Sequence, residues 1–263
     1  MGSATTQALA ATTAALNSAP SVDLDTAREL FAAARVVAGS PQLSGALADP
    51  SATPAARARV VADVFGGALG TTAVSLLTTA VGQRWSNASQ LLDGIEELAV
   101  RAAAISAPGV DVDRELFSAA RMIADNPEVE LALGSRLGDD SAKGPLVETL
   151  LRGRVSDATI LIVSSLVQQT RERRVRQILS RAMDLVADQR GSMVATVVTA
   201  RPLSAAQTER LSAVLSQRYG RKVGLNAVID PSVVGGLRVQ IADDVIDASV
   251  AARLSDLRQR LAG

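Results

Sequence analysis

The spacing of apolar positions changes once along the chain, near residue 190. Before that point the period is helical; after it, short runs alternate. In the first region Leu30, Ala33, Ala34 and Val37 fall on one helical stripe, and so do Leu116, Ala119, Ala120 and Ile123. Both predicted helices stop before a proline, Pro41 or Pro127, because the residue ahead of a proline is pushed out of the helical region. A second helix is predicted over 54–65 and over 144–151, ended by Gly66-Gly67 and by Gly153. A third covers 72–84 and 157–171, and a fourth 88–104 and 173–190. An alanine-rich helix over 5–17 precedes them and ends at Pro20.

After residue 190 the pattern is that of a small mixed module. Residues 192–199 alternate and are valine-rich, which predicts a strand. Pro202 follows, then an amphipathic helix over 205–219 closed by Gly220. A second strand is predicted over 223–229, and a hairpin joins 237–241 to 245–246 around Asp243-Asp244. Asp247 and Ser249 are helix-start residues for a last helix over 250–261, with Val250, Leu254, Leu257 and Leu261 on its apolar stripe. The predicted fold class is mainly α with a small α+β C-terminal domain: tandem helical bundles, then a short β-sheet module with two helices.

The helical region repeats itself. Arg28-Glu29-Leu30-Phe31 recurs as Arg114-Glu115-Leu116-Phe117. At the same offset Arg35 falls on Arg121, Pro41 on Pro127, Leu47 on Leu133, Gly67 on Gly153 and Val81 on Val167. After a slip of one residue, Leu91-Leu92 falls on Ile178-Leu179. Two segments, about 24–106 and 111–190, share one plan of four predicted helices. The domains are therefore drawn at 1–108, 109–190 and 191–263.

Composition narrows the chemistry. With 263 residues and 48% hydrophobic content there is ample material for a core. No cysteine and no histidine are present, which removes disulfides, thiolate metal sites, the Ser-His triad and the commonest general base. An enzyme built on Asp and Lys stays open. Net charge is zero and aromatics are 2%, against both phosphate neutralisation and base stacking. The longest apolar run, 160–167, is broken by Ser164-Ser165 and falls short of the ~20 residues of a membrane span. Met1-Gly2-Ser3-Ala4 lacks the basic and apolar runs of a secretory signal, so a cytoplasmic chain is expected.

Several features carry two readings. Gly235-Gly236 is either a phosphate loop or a turn needing glycine; it lacks the GxxxxGK[ST] pattern, which favours the turn. Asp243, Asp244 and Asp247 are either metal ligands or turn and cap residues, and their spacing fits no calcium loop. The basic run Arg171, Arg173, Arg174, Arg176 and Arg181, with Glu172 inside it, is either a patch for an acidic partner or a solvated helix start. Trp85, at a helix end, is either interface or core. Ala32, Ala33, Ala34, Ala119 and Ala120 permit close helix approach, within the bundle or to a partner.

The order of elements and the runs 191–204 (GSMVATVVTARPLS), 218–223 (RYGRKV) and 230–241 (DPSVVGGLRVQI), continuing through 244–249 (DVIDAS) and Arg253-Leu254, resemble the delta subunit family of F-type ATP synthases, called OSCP in mitochondria. Asp125-Asn126-Pro127-Glu128 fits the family's bundle as well. The resemblance spans nearly the whole chain and is strongest from residue 111 onward. The first helical copy departs from the ordinary pattern of one bundle and resembles actinobacterial members, some of which are fused to a stalk b subunit. A free-standing delta, or the delta part of such a fusion, is expected.

The resemblance implies a non-catalytic stator subunit, one copy per complex, at the cytoplasmic face of the bacterial plasma membrane. It implies that the bundle binds N-terminal helices of alpha subunits and that the C-terminal module binds the end of the b subunit. Neither a cofactor, a metal, a nucleic acid nor a small-molecule substrate is expected. The motif positions Pro202, Gly220, Asp230, Pro231, Gly235, Gly236, Asp247, Ser249, Arg253 and Leu254 are expected to be mainly structural. The alternative from another class is a helical regulatory or nucleic-acid-binding scaffold.

Overall fold

The computed structural model describes residues 2–135, 139–171, 173–233, 235–241 and 244–250. It is mainly helical, with a small four-stranded sheet near the C-terminus. The chain divides into two compact units, Met1–Leu185 and Val186–Gly263.

The first unit begins with α1 (Ser3–Ser18). The first copy then runs α2 (Leu24–Gly39), α3 (Pro41–Ala48), α4 (Pro54–Phe65), α5 (Thr71–Gly82) and α6 (Ala88–Ser106). The second runs α7 (Val112–Ala124), α8 (Pro127–Gly134), α9 (Asp140–Leu151), α10 (Asp157–Gln168) and α11 (Val175–Gln189); the unit boundary falls inside α11. Each copy therefore has five helices, not the four predicted. Pro41 and Pro127 end one helix and also open the next, because a proline at the first helical position gives up only an N–H that would be unpaired there anyway. Ser40 caps α3 through its hydroxyl, 3.2 Å from the Leu43 N–H. The second correction concerns α9, which starts at Asp140 instead of 144. Pro145 lies in its second turn and removes only the bond to the exposed Ser141 carbonyl.

The repeat is carried into three dimensions. α3 and α8 begin 86 residues apart; α4 and α9, and α5 and α10, both begin and end 86 residues apart. The recurring Arg-Glu-Leu-Phe motif has a matching physical role in each copy. The Gly70 N–H, at the start of α5, donates to Glu29 Oε2 at 2.9 Å. At the start of α10, the Ser156 N–H donates to Glu115 Oε2 at 3.0 Å, and the hydroxyls of Ser156 and Thr159 donate at 2.6 Å. A carboxylate at a helix N-terminus satisfies orphan donors and opposes the helix dipole. Leu30 and Leu116, the next motif residues, are fully buried.

α6 is the centre of this unit. Every residue from Ile95 to Ala104 is buried, so the helix is enclosed on all sides. It packs on α1, α2, α3 and α5 of the first copy and on α10 of the second. α1 rests on α5 and α6; by the repeat these correspond to α10 and α11, and α6 rests on α10 and meets α11 across a narrow cleft. Two six-helix sets, α1–α6 and α6–α11, thus share α6. Trp85, just ahead of α6, resolves to core: it is 6% exposed and its indole N–H donates to the Ala80 carbonyl at 2.8 Å. Its ring lies so close to Gly94 that a Cβ there would sit 2.1 Å from it.

The cost of burying α6 is concentrated in Asp93, Glu96 and Glu97. Glu97 Oε1 accepts from Arg101 Nε at 3.0 Å and Nη2 at 2.9 Å, and its other oxygen lies 3.5 Å from Arg181. Glu96 Oε2 accepts from Arg171 at 2.7 Å and Arg173 at 2.8 Å. Asp93 takes Arg171 as well, with Arg173 at 3.5 Å. Arg171 adopts a left-handed backbone, φ 47°, at the end of the α10 region. The basic run is therefore neither a free patch nor a solvated helix start: Arg171, Arg173 and Arg181 are spent on this chain's own buried acids, and only Arg174 and Arg176 stand exposed.

The second unit contains β1 (Ser192–Thr199), α12 (Ala205–Tyr219), β2 (Lys222–Ile229), β3 (Leu237–Ile241) and β4 (Asp244–Asp247), with sheet order β2-β1-β3-β4. β1 and β2 are parallel and the other pairs antiparallel. Ala195 and Val197 of β1, Val223 of β2 and Val239 and Ile241 of β3 form one buried face, covered by Leu211, Leu215 and Tyr219 of α12. α12 opens with a capping box between Ser204 and Gln207 and closes at Gly220 in the left-handed conformation. Asp244, predicted in the hairpin turn, is instead the first residue of β4, paired with Ile241, where its carboxylate reaches the Tyr219 hydroxyl at 2.9 Å. The last predicted helix, beyond Val250, lies outside the described residues, as does Asp243.

Glu96→Gln is expected to destabilise the first unit. It leaves two guanidinium groups with Asp93 as their one remaining carboxylate, and because these are 18% and 27% exposed the loss should be about 1–3 kcal/mol, below that of a fully buried pair. Trp85, the chain's one tryptophan, reports this in urea unfolding followed by fluorescence; an unchanged midpoint would rule the role out.

Candidate functional site

The motif residues within the second unit converge on one loop. The Asp230 N–H donates to the Thr199 carbonyl at 2.8 Å, tying the loop to the end of β1. Asp230 Oδ1 accepts from the Ser232 N–H at 2.9 Å and hydroxyl at 2.7 Å, which fixes the turn that Pro231 opens. Gly235 and Gly236 both have positive φ, 66° and 78°. A side chain on Gly236 would meet the Ala248 carbonyl at 2.4 Å, and one on Gly235 would meet Val250 at 2.9 Å. The Val250 N–H donates to the Gly235 carbonyl and the Ala248 N–H to the Leu237 carbonyl. Asp247 accepts from the Ser249 N–H at 2.9 Å. Asp230, Pro231, Gly235, Gly236, Asp247 and Ser249 thus form one locked corner. Gly220 closes α12, and Pro202 stands exposed two residues before its cap. Arg253 and Leu254 lie outside the described residues.

This corner carries no catalytic geometry. The Ser232 hydroxyl, and then its N–H, hold the Asp230 carboxyl below its ordinary value, with Arg238 adding to the effect. The Ser249 hydroxyl and N–H do the same for Asp247, again helped by Arg238, its cross-strand partner. Both are therefore plain carboxylates engaged in turns. Asp244 and Asp247 face different partners, and among the described residues no cluster of three or more acidic side chains could hold a metal ion. Gly235-Gly236 binds its own chain's backbone where a phosphate loop would hold donors free.

The first unit carries an apolar groove. Met122 and Ile123 of α7, Val129 of α8 and Val147, Leu150 and Leu151 of α9 line a cavity of about 190 Å³, room for one or two large side chains. Arg154 lines it too; its guanidinium lies 3.9 Å from Met122 Sδ and, among the described residues, has no carboxylate partner. Sequence reading missed this groove. The signal was present: Met122 and Leu150 sit beside the core stripe, and the positions 86 residues earlier, Val36 and Val64, are also apolar, 50% and 43% exposed.

Comparison with known proteins agrees with a mainly helical chain that carries a small C-terminal sheet. The sequence pattern of the ATP synthase delta (OSCP) subunit family matches residues 97–261. The chain is 51% identical over 265 residues to the ATP synthase subunit delta of Leifsonia xyli, covering 100% of both chains. It is 40% identical over 253 residues to that of Streptomyces avermitilis, covering 94% of this chain and 93% of the relative. A chain of the Toxoplasma gondii mitochondrial ATP synthase hexamer, solved by cryo-EM, aligns at a TM-score of 0.39 and 24% identity over 64% of this chain and 97% of that one. The chain belongs to the ATP synthase delta (OSCP) subunit family, whose members are structural stator subunits of the F-type ATP synthase and not catalytic ones. Among the described residues no helix is long and apolar enough to cross a membrane.

Two outcomes test the corner. Gly236→Ala should destabilise the second unit by at least about 1–3 kcal/mol, since a left-handed backbone is strained by a side chain and the new methyl meets the Ala248 carbonyl. The single tyrosine, Tyr219, reads this unit. Ser232→Ala should raise the pKa of Asp230 toward its ordinary value in a carboxyl-carbon NMR titration. Since the folded value is depressed, Asp230 stabilises above the unfolded carboxylate value, and that contribution fades as pH falls through the folded one. An Asp230 titration identical in both proteins would remove the hydrogen bond as cause.

Proposed function

We propose that the chain is the link of the stator, joining the catalytic head to the peripheral stalk, with one copy per synthase at the cytoplasmic face of the bacterial plasma membrane. In this reading residues 109–190 form the family bundle, 1–108 an added repeat, and 191–263 the module that holds the C-terminal end of the b subunit. The helical region holds N-terminal helices of alpha subunits. The motif residues Pro202, Gly220, Asp230, Pro231, Gly235, Gly236, Asp247, Ser249, Arg253 and Leu254 serve the shape of the module, not a reaction.

The observation that carries the reading is the family match, which runs through both the helical unit and the sheet unit, together with relatives aligned along the full length. The physical demand agrees with it. A stator must resist the torque of the rotor, which calls for stiff bodies that grip partner helices in apolar grooves. It calls for no perturbed acid or base. The nucleic-acid alternative loses its electrostatic footprint once Arg171, Arg173 and Arg181 are paired internally.

Co-purification tests it. The full chain should retain the cognate alpha subunit, should lose it when the alpha N-terminal segment is removed, and should separately retain the C-terminal end of the b subunit. It should hydrolyse no ATP. Failure to retain either partner at micromolar concentration would overturn the proposal.

A further inference from the structure

The two edges of the sheet in the second unit are guarded unequally. β4 is four residues long and begins and ends with an aspartate, Asp244 and Asp247; shortness and charge are the ordinary defences of a sheet edge against pairing with another chain. β2, at the opposite edge, is eight residues long, and from Val223 to Ile229 it carries neither charge nor proline. Its outward backbone groups are committed at one end only. The Val223 N–H donates to Ser216 Oγ at 2.9 Å, and the Val223 carbonyl accepts from the Ser212 hydroxyl, both on α12. Backbone groups alternate sides along a strand, so the N–H and C=O of Leu225, Ala227 and Ile229 point outward too. Among the described residues these groups have no partner. Ala227 is exposed and Ile229 is 51% exposed, although Val197 and Thr199, their register partners on β1, are buried.

We infer that this edge binds a second copy of the same chain, β2 against β2, antiparallel about a two-fold axis at Asn226. Charge argues for self-pairing. The uncharged stretch is flanked by Lys222, which is exposed and has no carboxylate partner among the described residues, and by Asp230. With Asn226 opposite its own twin, Lys222 of each copy falls opposite Asp230 of the other. Asp230 has an oxygen to offer, because Ser232 holds only Oδ1. A parallel pairing in register would set like charges side by side instead. In the antiparallel arrangement Leu225 of one copy and Ala227 of the other exchange N–H···O=C bonds in both directions. Asn226 lies between them in a pair without backbone bonds, where side chains come closest. Its Nδ2 lacks a hydrogen-bond partner, and an amide opposite is both donor and acceptor. The contact is closed: it uses up both β2 edges, and the guarded β4 edges stop further growth. The inference goes beyond the stator reading, which counts one copy in the assembled synthase, and concerns the chain while it is free.

The test combines sedimentation velocity of the full chain with zero-length carbodiimide cross-linking. A dimer should form at about 1 mM and dissociate on dilution to about 1 µM, as a small interface does. Lys222 is one of two lysines, and the other, Lys143, is buried. The reagent should join Lys222 to Asp230 in the dimer alone, since an extended strand holds the two on the order of 25 Å apart within one chain. Ala227→Glu puts a charge on the exposed edge and should weaken the dimer at least about ten-fold, with the circular dichroism of the monomer unchanged. Lys222→Glu sets like charges opposite each other and should weaken it as well, an effect that added salt relieves. A chain that stays monomeric to about 1 mM would overturn the inference and leave the edge to an extended segment of another subunit. A dimer that Ala227→Glu leaves intact, growth past the dimer, or cross-links without the Lys222–Asp230 pair would overturn it too. None of these outcomes touches the stator reading, which co-purification decides separately.

Discussion

The helical unit depends on a buried helix that carries charge. α6 is enclosed on all sides, yet places Asp93, Glu96 and Glu97 where water is scarce. A carboxylate in such a place must be paired, or it costs more than the helix gains by burial. Only Arg101 comes from α6 itself; Arg171, Arg173 and Arg181 arrive from the second copy, 75 or more residues away along the chain. The first copy cannot complete its own last helix without the second. This interdependence is what makes residues 1–185 one compact unit despite a duplicated plan.

Sharing α6 also gives the duplication a mechanism for fitting together. A second bundle could have been strung on by a linker, and tandem domains joined that way move relative to each other unless their interface is large. Here the last helix of one set is the first of the next. The family pattern begins at residue 97, inside α6, the helix that opens the second set.

Much of this was legible from residues alone. The change of period near residue 190, the repeat and the order of helices and strands along the chain follow from spacing, glycines and prolines. Sequence reading misjudged the places where one residue serves two elements. Pro41 and Pro127 read only as stops in the sequence, although a proline that ends one helix is equally suited to open the next. The predicted start of α9 at 144 falls short because the tolerance of Pro145 inside a helix depends on a solvent-facing carbonyl that spacing does not reveal. The arginine run from 171 to 181 reads as solvent- or partner-facing in the sequence, since nothing local announces that its acids lie on α6. The apolar groove on α7, α8 and α9 escapes sequence reading for a related reason. Val36 and Met122 look like the edge of a core stripe until the structure shows that the core ends one residue away, at Val37 and Ile123.

The features that escaped sequence reading share one property: they are relations between distant residues of like type, not unusual residues. A reaction centre announces itself by rare side chains at fixed spacing, and a chain without cysteine or histidine offers few such signs. A structural stator subunit needs something else. In the helical unit the two copies are joined by a continuous helix whose carboxylates are multiply paired. Breaking any single arginine contact leaves others on the same carboxylate, so the pairing degrades gradually. That redundancy is how a polypeptide of ordinary composition holds a buried, charged helix in place with ion pairs drawn from both halves of a repeat.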